Sequence, residues 1–229
     1  MPQRGSTPPA TSRISDAEVE LWLVRLDVDA ESSERGRALL SADEHERAAR
    51  FHFPRDAARF VAGRGALRII LGTCLAVAPT ELRLVYGAHG KPELGAPFDR
   101  DGLRFNLSHS EGLAICACTR GRRIGVDIER VRPLADWEAI AQRMFTPQEA
   151  HDLRRLPDAA RPEAFFTCWT RHEARLKALG EGIGGAGDLA AADGWTLRTL
   201  RPEPDYLATV AVEGPIARLV CRTWPPEHP

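Results

Sequence analysis

No apolar run in this 229-residue sequence is long enough to cross a bilayer. A stretch such as LRIILGTCLAVA at 67–78 falls well short of the roughly 20 residues a spanning helix needs. An excess of charge of one sign is also missing. With 31 basic residues against 32 acidic the net charge is −1, so no global field holds a polynucleotide and any anion is bound locally. Interleaved aromatic and basic residues that would stack a single strand are lacking too, which disfavours a nuclease. The five cysteines (74, 116, 118, 168 and 221) are odd in number and have no CxxC spacing. This speaks against a disulfide framework or zinc ribbon, and for buried free thiols in a reducing cytoplasm. Met1 to Arg13 has no apolar segment of the secretory kind; polar and rich in Pro, Ser and Thr, it predicts a disordered leader over 1–15.

What remains is an ordinary globular composition, 43% hydrophobic and 28% charged, in a chain sufficient for one large domain or two small ones sharing a core. EVELWLVRLDV (18–28) alternates like a strand. Ser41 with Glu44 makes a capping box, and a basic helical region follows, broken near Pro54 and resuming to Gly72. ELRLVYG (81–87), LRFNLSHS (103–110), LAICACT (113–119) and IGVDIE (124–129) read as strands. Helix returns with DWEAIAQRMF, then a second capping box at Thr146 and Glu149, then a long helix over about 162–179 ended by Gly180. WTLRTL, YLATVAVE and IARLVCRTW are three further strands.

Two halves thus share one plan. Each has a capping box, a helix closing on similar residues (GRGALRIILG at 63–72, RHEARLKALG at 171–180) and a group of strands. The expectation is an α+β fold of two pseudo-symmetric α/β subdomains, 16–120 and 121–224, with a flexible tail at 225–229. The seam between the halves is the natural place for a ligand.

Candidate chemistry gathers in three places. In IGVDIE, Ile124, Val126 and Ile128 face one side of a strand and look like core. Asp127 and Glu129 face the other, roughly 6.5–7 Å apart, with Gly125 leaving room beside them. Two like charges on a partly dry face require something positive between them, either an Arg or Lys or a hard cation such as Mg²⁺. In FFTCWTRHEARLKALG (165–180), Phe165, Trp169, His172, Leu176 and Leu179 form an apolar stripe, with Glu173 and Lys177 one turn apart at its edge. That pair is either a solvated i,i+4 contact or a carboxylate and an ammonium at the rim of a cleft. His172 lies within the stripe, where packing is the commoner role. The third group is cationic or polar: Ser108 and His109 at a strand end, Lys91 in a GKP turn, and the arginines of the first helical region. Carboxylates for a metal together with cations for phosphate are the components of a phosphoryl-transfer site.

IGVDIE followed by FFTCWTRHEARLKALG resembles the paired signature of the 4′-phosphopantetheinyl transferases, and the two-half single chain resembles their Sfp type. FNLSHS, GKP and ERAARF…RDAARFVAGR fall where that family has corresponding motifs, so the likeness runs from about residue 20 to about 223. The resemblance implies a monomeric cytoplasmic enzyme with its active site between the two subdomains. It would transfer phosphopantetheine from coenzyme A to a serine of an apo acyl or peptidyl carrier protein, of fatty-acid, polyketide or nonribosomal peptide biosynthesis. Adenosine 3′,5′-bisphosphate would be released. It further implies that Asp127 and Glu129 hold Mg²⁺ on the coenzyme A pyrophosphate, that Glu173 completes the metal site or deprotonates the attacking serine, directly or through water, and that Lys177 steadies the phosphate under attack. Lys91, Ser108 and His109 would contact coenzyme A, joined by Arg47 and Arg64 at its nucleotide end, including the 3′-phosphate. No nucleic acid or membrane partner is implied. One departure is His172, which stands where family members commonly have a lysine, a cationic substitute if that lysine binds phosphate. The alternative from another class is a non-catalytic module that binds coenzyme A or carrier protein.

Overall fold

The structure, a computed structural model, describes residues 14–87, 90–180 and 194–225. The expected leader up to residue 13 and the tail from 226 lie outside the described residues. Ile14 is already packed in the core.

EVELWLVR forms β1 (Glu18–Arg25), buried on both faces: Val19 and Leu21 enter one core, Trp22 and Val24 another. Residues without an apolar period form α1 (Ala30–Arg37), capped by Asp29, whose carboxylate accepts from the Ser32 N–H. The first capping box opens α2 (Ala42–Ala49). Its Glu44 is fully buried and also meets Arg68 at 2.7 Å and Arg64 at 3.5 Å, so the cap anchors α2 to α3 (Pro54–Leu75). That helix does not stop at Gly72 as expected; it runs on to Leu75 and closes on Ala76 at φ 56°. Gly72 serves close packing instead, since a Cβ there would lie 2.8 Å from the Val77 carbonyl oxygen.

A small hairpin, β2 (Leu84–Tyr86) with β3 (Pro92–Leu94), carries the GKP turn. The strand expected over 81–87 is shorter because Pro79–Glu81 winds into a 3-10 turn. β4 (Leu103–Ser110), β5 (Leu113–Arg120) and β6 (Ile124–Arg130) follow. Next come α4 (Trp137–Met144), α5 (Pro147–Arg155) with the second capping box, and α6 (Arg161–Leu179), closed by Gly180 at φ 79°. β7 (Trp195–Leu200), β8 (Tyr206–Glu213) and β9 (Arg218–Trp224) are the last elements among the described residues.

The larger sheets have orders β4-β5-β1-β9 and β6-β8-β7. β9, expected with the second half, pairs in parallel with β1. It covers the edge of β1 that would otherwise present unpaired backbone groups, and its Arg218 and Arg222 meet Glu18 and Glu20 of β1. The inner faces of the two sheets meet in one core (Val19, Leu21, Ile115, Ile124, Val126, Ile128, Val210, Val212). α3 packs outside the first sheet, through Leu67, Ile70 and Leu71, and α6 outside the second. The class is α+β, as expected. Cys74, Cys116 and Cys118 are buried free thiols, whereas Cys168 and Cys221, also expected to be buried, are half-buried on α6 and exposed on β9. Among the described residues no helix is long and apolar enough to cross a membrane.

Candidate active site

β4 and β6 run side by side without sharing a backbone ladder, and side chains of β4 take the place of its carbonyls. Asn106 Oδ1 accepts from the Val126 N–H at 2.8 Å, Ser108 Oγ from Ile128 at 3.4 Å, and Ser110 Oγ from Arg130 at 3.2 Å. Strand alternation then sends Ile124, Val126 and Ile128 between the sheets and Asp127 to the other face, beneath α6. Gly125, expected to leave open space beside the carboxylates, leaves none, because the helix fills it. A Cβ on Gly125 would collide with the Ala174 carbonyl oxygen and the Ala178 amide nitrogen. This small-residue contact, continued by Ala211 and by Thr170 against Thr209, lays α6 close over the carboxylate face of β6.

α6 accordingly buries more than the stripe read from its sequence. Phe165, His172 and Leu176 are buried, but Phe166, Thr170, Glu173, Ala174 and Ala178 are buried as well. Glu173 is only 6% exposed, which removes the solvated-pair reading. Lys177 turns to β6: its Nζ lies 2.5 Å from Asp127 Oδ1 and 3.0 Å from Ser108 Oγ. Ser108 donates to the same Asp127 oxygen at 2.9 Å, closing a triangle, and Ser110 donates to Glu129 Oε2 at 2.9 Å. The positive group on this carboxylate face is therefore a lysine in this structure, seated on Asp127. Asp127 Oδ2 and Glu173 Oε1 are buried with no hydrogen-bond partner.

Burial raises all three carboxyl pKa values. For Asp127, Lys177 and Ser108 only partly offset it; for Glu129, the Asp127 charge adds to it; for Glu173, Lys177 opposes it and Asp127 adds. The cations are pushed the other way. Lys91 is lowered by burial, and Arg104 and Lys177 add to this against the pull of Glu93. His109 is lowered by the protein enclosing it and then by Lys177, with Asp127 opposing.

Lys91 donates from Nζ to the Lys177 carbonyl at 2.9 Å, tying the GKP hairpin of the first half to the last turn of α6. Behind it, Tyr86 forms the next rung of that hairpin, paired with Pro92. Arg47 and Arg64 both face Tyr86, each 5.6 Å from guanidinium carbon to ring centroid, and both also face Phe60. Arg64 is buried, with Nε and Nη1 lacking hydrogen-bond partners. Burial lowers its pKa, and Tyr86 and Glu44 resist that. The expected residues thus occupy two adjoining clusters. Asp127, Glu129, Glu173, Lys177 and Ser108 make one, with His109 beside it, and Arg47 and Arg64 make the other; Lys91 links the two. His172 belongs to neither. Its Nε2 lies 2.9 Å from Glu149 Oε2 of α5 and its ring packs on Phe145. Asn106, Ser110, Phe60, Tyr86 and Arg104 are absent from the sequence expectations. Only the first two carry a signal, the N-x-S-x-S period along β4.

Two family models account for nearly the whole described body. That for the N-terminal part of 4′-phosphopantetheinyl transferases matches residues 30–121, and that for the 4′-phosphopantetheinyl transferase superfamily matches 123–213. The chain is 44% identical over 219 residues to the 4′-phosphopantetheinyl transferase HetI of Nostoc sp., covering 90% of this chain and 92% of that one.

The chain belongs to the 4′-phosphopantetheinyl transferase family.

It is therefore a transferase enzyme. A putative 4′-phosphopantetheinyl transferase of Synechocystis sp. is 39% identical over 149 residues (65% of this chain, 60% of that one). The 4′-phosphopantetheinyl transferase Sfp of Bacillus subtilis is 29% identical over 153 residues (67% and 66%). The two family matches meet between β5 and β6, so the transferase's buried carboxylates and Lys177 come from one matched part, and Asn106, Ser108, Ser110 and Lys91 from the other.

Proposed function

We propose that this transferase moves the 4′-phosphopantetheinyl group of coenzyme A onto a serine hydroxyl of an apo acyl or peptidyl carrier protein, with Mg²⁺. The observation that carries the reading is the buried, unpartnered pair Asp127 Oδ2 and Glu173 Oε1 beside the Lys177 ammonium. Uncompensated carboxylate oxygens in a dry site are costly unless a cation joins them. Among the described residues no three His, Cys, Asp or Glu side chains already form a metal cluster. Oxygen donors of this kind nonetheless fit Mg²⁺, which is commonly held by one or two carboxylates while substrate phosphates and water supply the rest. Asp127, Glu129 and Glu173 would hold it, and when bound it draws charge from the phosphoryl oxygens.

The side chains then divide the work. Lys91, Lys177 and His109 line the phosphate side, and Arg64, two of whose donors lack hydrogen-bond partners, joins Arg47 at the nucleotide end. Glu173, whose pKa is raised by burial, accepts the proton of the attacking serine; general-base help of this kind is worth on the order of 10²–10⁴-fold. The serine oxygen bonds to the phosphorus bearing pantetheine, and the bond from that phosphorus to the bridging oxygen breaks. Adenosine 3′,5′-bisphosphate leaves while Lys177 stays on the transferred phosphoryl oxygens. A cytoplasmic monomer accompanies this reading; its free, buried Cys74, Cys116 and Cys118 are consistent with a reducing compartment.

Intact-mass spectrometry of an apo carrier protein incubated with this chain, coenzyme A and Mg²⁺ tests it. One phosphopantetheinyl mass is expected, lost with EDTA and with Asp127→Ala. No gain on several carriers while coenzyme A still binds would replace the transfer with binding alone.

A further inference from the structure

Ser108 and Ser110 repeat one arrangement. Each hydroxyl donates to a carboxylate of β6, Ser108 to Asp127 and Ser110 to Glu129, both at 2.9 Å. Each also accepts from the backbone N–H that follows that carboxylate, Ile128 at 3.4 Å and Arg130 at 3.2 Å. The Ser-x-Ser of β4 is thus in register with the Asp-x-Glu of β6. Asn106, one step earlier, takes the Val126 N–H but touches no carboxylate. Joining the strands therefore needs only an acceptor, and the two serines do something more. A hydroxyl that is fixed by a backbone N–H and gives its proton to one carboxylate oxygen leaves the other oxygen free. At Asp127 that remaining oxygen is buried without a partner.

We propose that Ser110 is a positioning residue of the transferase, holding Glu129 as Ser108 holds Asp127, so that each carboxylate offers its second oxygen to the divalent cation. The inference rests on the Mg²⁺ reading above and extends it to a residue outside the ligand set. Residues that orient metal ligands typically change metal affinity about 10–100-fold when replaced.

The test measures Mn²⁺ binding to the full chain saturated with coenzyme A, by water-proton relaxation, without carrier protein or turnover. Ser110→Ala should weaken Mn²⁺ binding about 10-fold or more and leave metal-free coenzyme A binding within about twofold, with Ser110→Thr restoring affinity. Should the alanine variant fold poorly, Ser110→Cys keeps the side-chain size but replaces the hydroxyl with a weak donor, and it should show the same loss. Wild-type Mn²⁺ affinity in either folded variant overturns the positioning role. Absence of Mn²⁺ binding in the wild type–coenzyme A complex overturns the metal reading itself, and this inference with it.

Discussion

Gly125 and Ala174 pack so closely that a side-chain carbon on the glycine would collide with the alanine's carbonyl oxygen. Backbone meets backbone there, so neither side yields by changing a rotamer. The contact sets the distance from Asp127 and Glu129 on β6 to Glu173 and Lys177 on α6. Overpacking a core costs about 1–3 kcal/mol, and this contact belongs at the upper end. Moving catalytic groups by about 1 Å can cost on the order of 100-fold in rate. Gly125→Ala is expected to show both effects, in urea unfolding and in the rate of carrier modification. A variant that is equally stable and fully active would show that α6 is not placed by this contact.

The Asp127–Lys177 pair is lopsided: the aspartate side chain is 4% exposed, the lysine 28%. Lys177→Met leaves a buried carboxylate without its counter-charge. Breaking a buried pair costs about 3–5 kcal/mol, and the partial exposure of Lys177 puts this case at the low end. Adding Asp127→Asn to that variant should recover most of the loss, since the stranded charge is gone. Transfer activity stays absent in both. Additive losses in the double-mutant cycle would mean that the two groups do not share one electrostatic interaction.

Much of this site could be read from short-range patterns, because its residues sit on a strand of period two and a helix of period 3.6. IGVDIE assigns its own faces, and the two capping boxes start helices where expected. What could not be read depends on contacts remote in sequence. The pairing of β9 with β1 joins the first and last of the described strands, and no local pattern encodes a parallel partner. That Arg64 and Arg68 share one buried partner is not visible locally, because Glu44, itself a capping residue, meets both only when α2 packs on α3. Glu173 sits at the edge of an apolar stripe in its own helix, and only the sheet beneath α6 makes it buried. Ser110 reads as a strand-end polar residue until β4 and β6 are placed in register.

His172 accounts for the acid response of α5. Its hydrogen bond, ahead of those from Thr146 and against the cost of burial, draws the Glu149 pKa from 4.5 down to about 2. A depressed carboxylate contributes stability that is fully present above the unfolded value and lost as pH falls from about 4.5 towards 2. His172→Ala should therefore destabilise the chain at neutral pH and flatten this acid limb. Hydrogen bonds to charged groups contribute about 1.5–3 kcal/mol, and a glutamate about one-third exposed falls at the low end. His172→Lys gives Glu149 a permanent cation as partner and should retain at least wild-type activity. A large activity drop in His172→Lys would assign the imidazole a role at the phosphates, away from α5.

Asp127 should show the opposite dependence. Its folded pKa lies above 3.8 because burial outweighs the help of Lys177 and Ser108. Between the unfolded and folded values the native state holds more protons than the unfolded chain, so stability falls as pH rises through that window and stays reduced above it. Asp127→Asn keeps the shape and removes the titration. Its stability relative to wild type should therefore improve from about pH 3 to about pH 7, although the variant is inactive. Mg²⁺ with coenzyme A should reverse the order at neutral pH, because a ligand that binds only the native site stabilises it by mass action, and only the charged aspartate retains that site. Thermal unfolding of both proteins at the two pH values, with and without the ligands, measures each part. If the asparagine variant loses ground as pH rises, the Asp127 charge is stabilising in the folded chain, and Lys177 rather than a metal is its complete partner.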